Sequence, residues 1–322
     1  NFYTRKQNWL MPGTVEAIFR GPSSDFNGSH WNTTKVFGPK VAGLVEHDNV
    51  IHQPTANAVN MYGMANGLPL DDLESGFDPN HPFQNRDPRF YHDIVFDGFQ
   101  YLHGAAGDRA AYVYCQLYTG GNMRPVANGS RTGYFIQKLV PHTCNVIDRD
   151  YDWGSAVHVY LPYMRLADVY LLYAEATAAK DGKSFTRTNK ASNCSLTSED
   201  AVNKVRRRCG AGDVHPKFTG FAYMDEIRRE RAVELMFEGH RFNDLQRWLL
   251  LTEAPYTIKT SQEFDRVHDA DWYTTNDPRD AQVANFREEV ILERVFGTKH
   301  YWFPLPDSEV YLYGGFYQNP GW

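Results

Sequence analysis

The chain has 322 residues, 42% of them apolar and 22% charged, and a net charge of −6. That is the balance of an ordinary globular protein with one or two buried cores rather than of a disordered chain. No Lys/Arg block stands out, which excludes nucleic acid as a partner, and no apolar run approaches the roughly 20 residues that span a bilayer as a helix.

The chain opens on Asn1 without an initiator Met or a signal sequence, and its first twenty residues read as chain already in progress, so a fragment boundary is expected. Residues 1–60 are rich in Gly, Asn, Pro, Ser and Thr, with short apolar bursts such as "TVEAIF" (14–19). "GPSSDFNGSHWNTT" (21–34) reads as a long loop. Within it Phe26, Asn27, His30 and Trp31 combine flat aromatic faces with polar edges, the side-chain types that bind a sugar ring and its hydroxyls. With Tyr101 and His103 they are the candidate ligand-binding residues; no catalytic or metal-ligating residue is assigned. The run Phe90–Phe96 looks strand-like, and "AAYVYCQLY" (110–118) and "TGYFIQKLV" (132–140) read as two strands joined by a loop of about a dozen residues. Cys115, Cys144, Cys194 and Cys209 have no CxxC spacing, which removes zinc-ribbon and thioredoxin-like readings. Disulfides and buried thiols both remain open. A helix of about 11 residues between Cys194 and Cys209 would hold that pair apart.

The second half changes character. "LPYMRLADVYLLYAEATAAKDG" (161–182) places apolar or small residues at 166, 169, 170, 173 and 174, the spacing of a buried helical stripe, with Pro162 in the first turn and Gly182 past the end. "TSEDAVNKVRRRCG" (197–210) begins with a capping-box pair, Thr197 and Asp200, and stops at Gly210. A single long helix is expected from about Tyr223 to Trp248. Near the end, "KHYWFPLPDSEV" (299–310) predicts an aromatic strand broken by Pro304 and Pro306, with a short helix after Asp307.

The segment "RERAVELMFEGHRFNDLQRW" (229–248) is dense enough in Arg, Glu, Asp and His to raise the question of catalysis. Spacing argues against a metal. Glu234 and Glu238 share a face, but His240 falls elsewhere, and neither Glu-x-x-His nor His-Glu-x-x-His occurs. The i, i+3 pairs Arg231–Glu234, Glu238–Arg241, Arg241–Asp244 and Asp244–Arg247 give the charges an architectural role instead, worth a few tenths of a kcal/mol each if exposed. Gly239, in mid-helix, would permit the close approach of another element. No nucleophile elbow, Walker loop or dinucleotide fingerprint is found.

Eight segments, in order, resemble the motif series of the SusD/RagB outer-membrane nutrient-binding lipoproteins: "MYGMANGLPLDD" (61–72), "NRDPRF" (85–90), "TGYFIQK" (132–138), "LPYMRLADVYLLYAEA" (161–176), "AVNKVRRRCG" (201–210), "IRRERAVELMFEGHRFNDLQRW" (227–248), "WFPLPDSEV" (302–310) and "QNPGW" (318–322). The family's Met-x-Asp-Gly carries Asn66 in place of Asp, and its Arg-Ala-Gly ending reads Arg208-Cys209-Gly210. The resemblance covers the family's C-terminal portion. It implies a mainly α-helical SusD-like fold with tetratricopeptide-like helix pairs and a few short strands. Residues 1–160 would then form a loop- and strand-rich ligand-facing region, and 161–322 a helical region with a strand/turn tail. It further implies a non-catalytic subunit that captures oligosaccharides at the external face of the outer membrane of a Bacteroidetes-type cell. An N-terminal lipid anchor would hold it there, and a SusC-like TonB-dependent transporter would be its partner. A peptide-binding subunit of the same kind is the alternative, followed by a glycoside hydrolase, since acidic residues are plentiful. No cofactor is expected, although the Asp-rich loops leave room for a structural calcium ion.

Overall fold

The computed structural model describes residues 16–20, 53–104, 107–125, 129–138, 162–182, 184–312 and 314–322. In chain order the strands are β1 (Ala17–Arg20), β2 (Ile94–Val95), β3 (Phe135–Ile136), β4 (Pro162–Arg165), β5 (Ile258–Arg266) and β6 (Val283–Glu293). They form three two-stranded antiparallel sheets, β1–β4, β2–β3 and β5–β6. Four helices longer than one turn follow one another between β4 and β5: α1 (Leu166–Ala178), α2 (Ser198–Cys209), α3 (Gly220–Glu234) and α4 (His240–Arg247). The fold is mainly α, with helix pairs of the tetratricopeptide kind and a loop-rich remainder.

The helical core is built where α1, α2 and α3 meet. Ala167, Leu171, Ala174 and Ala178 of α1 pack against Ala201, Val202 and Val205 of α2 and Tyr223, Met224 and Ile227 of α3. Three of the four α1 residues are alanines, so neighbouring backbones come close. Ser198 uses that proximity: its hydroxyl donates to the Ala174 carbonyl at 2.6 Å and meets the Tyr223 hydroxyl at 2.8 Å. The ends of α2 follow local rules. Thr197 and Asp200 form a reciprocal capping box, and Gly210 closes the helix at φ +81°.

Other predicted elements differ. Pro162 lies in β4, and α1 begins four residues later. Its buried face is 167, 168, 171, 174, 177 and 178, so of the predicted stripe only Ala174 is buried, while Val169 is 41% exposed. Apolar residues surround this helix on more than one side, and periodicity alone then does not choose the face. The single helix expected over 223–248 is two. α3 stops at Glu234, Phe237 takes φ +66°, and Gly239 takes φ +85° as the N-cap of α4. No heavy atom lies within 4 Å of the position a Gly239 Cβ would occupy, so its glycine serves the left-handed turn and not a close approach.

In the first half, Phe90–Asp93 is a helical turn that leads into β2, and β2 pairs with β3 rather than the 110–118 segment. That segment carries the end of a 3-10 turn, Gly107–Tyr112, and a single bridge from Tyr114 to Gln100. Residues 139–140 of the other predicted strand lie outside the described residues. In the tail, 299–306 forms no strand; Thr298–Tyr301 is a 3-10 turn, and the short helix after Asp307 is present as Asp307–Val310. The longest sheet, β5–β6, falls in a stretch where no periodicity predicts it. Its buried positions on β5 include Thr260, Ser261, Gln262 and Glu263, polar side chains held by specific partners such as Glu288 and Thr119. Cys115, Cys194 and Cys209 are free thiols, and Cys144 lies outside the described residues.

Candidate functional site

Glu230, Arg231, Glu234, Glu238 and Asp244 of the 229–248 segment have buried side chains committed between elements. Glu234, with its side chain 3% exposed, accepts from Arg165 at 2.6 Å, from Arg89 at 3.0 Å and from Arg208. Glu238 accepts from Lys138 at 2.8 Å and Arg165 at 2.7 Å, and Glu230 is shared by Arg89 and Arg206. Arg231 bridges Asp168 of α1 to Asp244 of α4. Of the four i, i+3 pairs that spacing suggests, Asp244–Arg247 forms; the others give way to contacts across the fold. Lys138 and Arg165 also donate to the Glu234 main-chain carbonyl, at 3.0 and 2.6 Å, and so cap α3 where it stops. Among the described residues no group of three His, Cys, Asp or Glu is placed to hold a metal ion. The segment is a structural hub.

A cleft of about 590 Å³ opens elsewhere, between the 84–92 segment and the turn at 277–280. That volume is within the range of small-molecule sites. One wall is Tyr91, half-buried, with its hydroxyl donating to the Phe83 carbonyl at 2.6 Å and accepting from the Arg86 N–H at 3.0 Å. These bonds fix the ring plane. Behind it, Arg86 is 1% exposed. Its guanidinium lies 4.6 Å from the Phe90 ring and donates to the carbonyls of Tyr62 and Pro82. The facing wall is the 3-10 turn Pro278–Asp280, capped by Asp277, whose carboxylate accepts from the Arg279 N–H at 2.9 Å and from its side chain at 2.7 Å. So held, the Arg279 guanidinium lies 5.4 Å over the Tyr91 ring. Gln84 donates to Asp280 at 3.1 Å, tying the two walls together. Asn85, at φ +51°, and His92 complete the polar rim, and partial desolvation lowers His92 from its ordinary value. The arrangement offers one fixed aromatic ring surrounded by amide, carboxylate and guanidinium edges.

The residues expected from sequence lie apart from this cleft. Tyr101 is fully buried in a core cluster with Val95, Leu102 and Cys115, and His103 is exposed at the end of the same segment; neither lines the cleft. Phe26, Asn27, His30 and Trp31 lie outside the described residues. Tyr91 and Arg279 are 188 positions apart in sequence; of the motif segments, "NRDPRF" and, through Ala65, "MYGMANGLPLDD" touch the cleft.

The SusD family model matches residues 16–322. The chain is similar to a SusD-like protein from Bacteroides fragilis, with a TM-score of 0.70 and 22% identity over 99% of this chain and 58% of that one. It is similar also to a SusD-like carbohydrate-binding protein from the same species, with a TM-score of 0.62 and 20% identity over 96% and 55% of the two chains. Surface glycan-binding protein A from Bacteroides fluxus matches with a TM-score of 0.52 and 18% identity, over 99% and 54%. The chain thus spans somewhat over half the length of these structures. No curated protein matches it.

Proposed function

Because the chain belongs to the SusD family, we propose that it is a non-catalytic cell-surface subunit that captures oligosaccharides and delivers them to a SusC-like TonB-dependent transporter. It would act at the external face of the outer membrane, held there by a lipid anchor. The observation that carries the glycan reading is the cleft in which Tyr91, fixed by two hydrogen bonds, is ringed by Gln84, Asn85, Asp277, Arg279 and Asp280. A pyranose presents an apolar C–H face and a rim of hydroxyls; the amide, carboxylate and guanidinium edges complement the hydroxyls, and the half-buried Tyr91 ring, which Arg279 partly overlies, supplies the aromatic surface. The names of two similar structures, a carbohydrate-binding protein and a surface glycan-binding protein, support the same reading. Trp31, in the loop singled out from sequence, is proposed as a further stacking partner. Trp31→Ala is expected to weaken binding by ~1–2 kcal/mol, as loss of an aromatic stack does elsewhere.

The test is an array of immobilised glycans and peptides probed with the purified protein. Retention on one glycan class supports the proposal. Retention on peptides alone would replace it with a peptide-binding subunit. Turnover of a polysaccharide, lost on a carboxylate substitution, would make the protein a hydrolase.

A further inference from the structure

We infer that the Tyr91–Arg279 cleft selects uncharged oligosaccharides against acidic ones; the inference rests on the reading of that cleft as a glycan site. Its ground is the charge a ligand would meet there. Among the described residues two arginines line the cleft, and the donors of both are engaged. Arg86 is buried to 1% exposure and spends its N–H groups on the carbonyls of Tyr62, Pro82 and Val59. Arg279 is exposed but doubly bonded to Asp277 and laid over the Tyr91 ring. A uronate carboxylate or sulfate could recruit Arg279 only by displacing Asp277, which also caps the 3-10 turn that positions Arg279.

Asp280 then stands as an exposed carboxylate on the rim, with Gln84 as its amide partner. Asp277 and Arg279 offset one another and Arg86 is sealed behind the wall on carbonyl partners, so among the described residues Asp280 is the exposed charge at the mouth without an ionic partner. Carboxylates accept from sugar hydroxyls with charge-assisted strength. They repel an anionic sugar at the same distance, most strongly at low ionic strength. The cleft therefore rewards hydroxyls and penalises acid groups.

The test is calorimetry with neutral hexasaccharides (maltohexaose, cellohexaose, xylohexaose, mannohexaose) and two acidic ones, hexagalacturonate and a sulfated glycosaminoglycan hexasaccharide, at about 20 and 500 mM NaCl. Expected is binding of at least one neutral probe, with both acidic probes about tenfold weaker or worse at low salt and the gap narrowing at high salt. Asp280→Asn is expected to bring the acidic probes closer to the neutral one. An acidic probe that binds as tightly as the neutral one, and whose affinity responds to Asp280→Asn, overturns the selectivity while the site stands. Neutral binding that ignores both Asp280→Asn and Arg279→Ala removes the cleft itself, and the inference falls with it. Thermal melts of both variants, expected to match the parent because both side chains are exposed, separate these outcomes from misfolding.

Discussion

Glu234 occupies a position where Arg89, Arg165 and Arg208 converge on one buried carboxylate. Burial by itself would raise its pKa; the arginines outweigh that and hold the group far below its ordinary value of 4.5. Glu226 and Asp87 are lowered in the same manner, by arginines that override their desolvation, and Glu238 by Lys138 together with Arg165. Removing the charge strands several guanidinium groups in the interior, so Glu234→Gln is expected to lose about 3–5 kcal/mol in urea unfolding. The pH dependence follows from the sign. A carboxylate whose folded pKa lies below its unfolded one contributes stability above the unfolded value, lost as pH falls through the folded one. Stability should therefore decline from about pH 4.5 downward, and less steeply in Glu234→Gln. Asp93 and Asp97, raised by burial, oppose this trend, since each favours the folded state when protonated. A variant whose acid slope equals the parent's would contradict the assignment. The residue types of this hub were visible in the sequence. Their partners were not, because Lys138, Arg165 and Arg89 lie dozens of positions away and no local spacing encodes them.

At the level of elements, what local chemistry dictates was legible and what packing dictates was not. The capping box at Thr197 and the stop at Gly210 are set within a few residues, and both stand as the sequence reads them. Thr197→Ala should accordingly cost about 1 kcal/mol by thermal melt. The break between α3 and α4 was hidden because its cause is tertiary: Lys138 and Arg165 take the Glu234 carbonyl. Gly239 then turns the chain at φ +85° with open space around it. Gly239→Ala should cost about 1–2 kcal/mol, the backbone cost alone. Gly67→Ala should cost more, because its Cβ would meet the Gly212 carbonyl oxygen at 2.6 Å as well as adopt φ +89°. Equal losses in the two variants would refute this account of Gly239. β5–β6 escaped notice for another reason. Apart from Phe264, its buried β5 residues are Thr, Ser, Gln and Glu, whose burial depends on hydrogen bonds that hydrophobic alternation does not report.

Across the whole molecule, the helical half and the cleft divide the labour. α1 to α3 share one core, and the ion hub ties α3 to β4 and to the 85–90 segment through Arg165 and Arg89, and to α4 through Arg231. That segment continues directly into Tyr91, so the wall of the cleft is continuous in chain with the buried ion hub. The motif series pointed to the family because its members are hub and helix residues. It did not point to the ligand, because the facing wall comes from a turn at 277–280 that carries no signature. Calorimetry decides whether this cleft binds an oligosaccharide. A neutral oligosaccharide selected on the array is titrated into the parent protein and into Arg279→Ala. Expected are saturable binding by the parent and an affinity about tenfold lower in the variant, about 1.4 kcal/mol, at unchanged melting temperature. Equal affinity in the two proteins would contradict binding at this cleft.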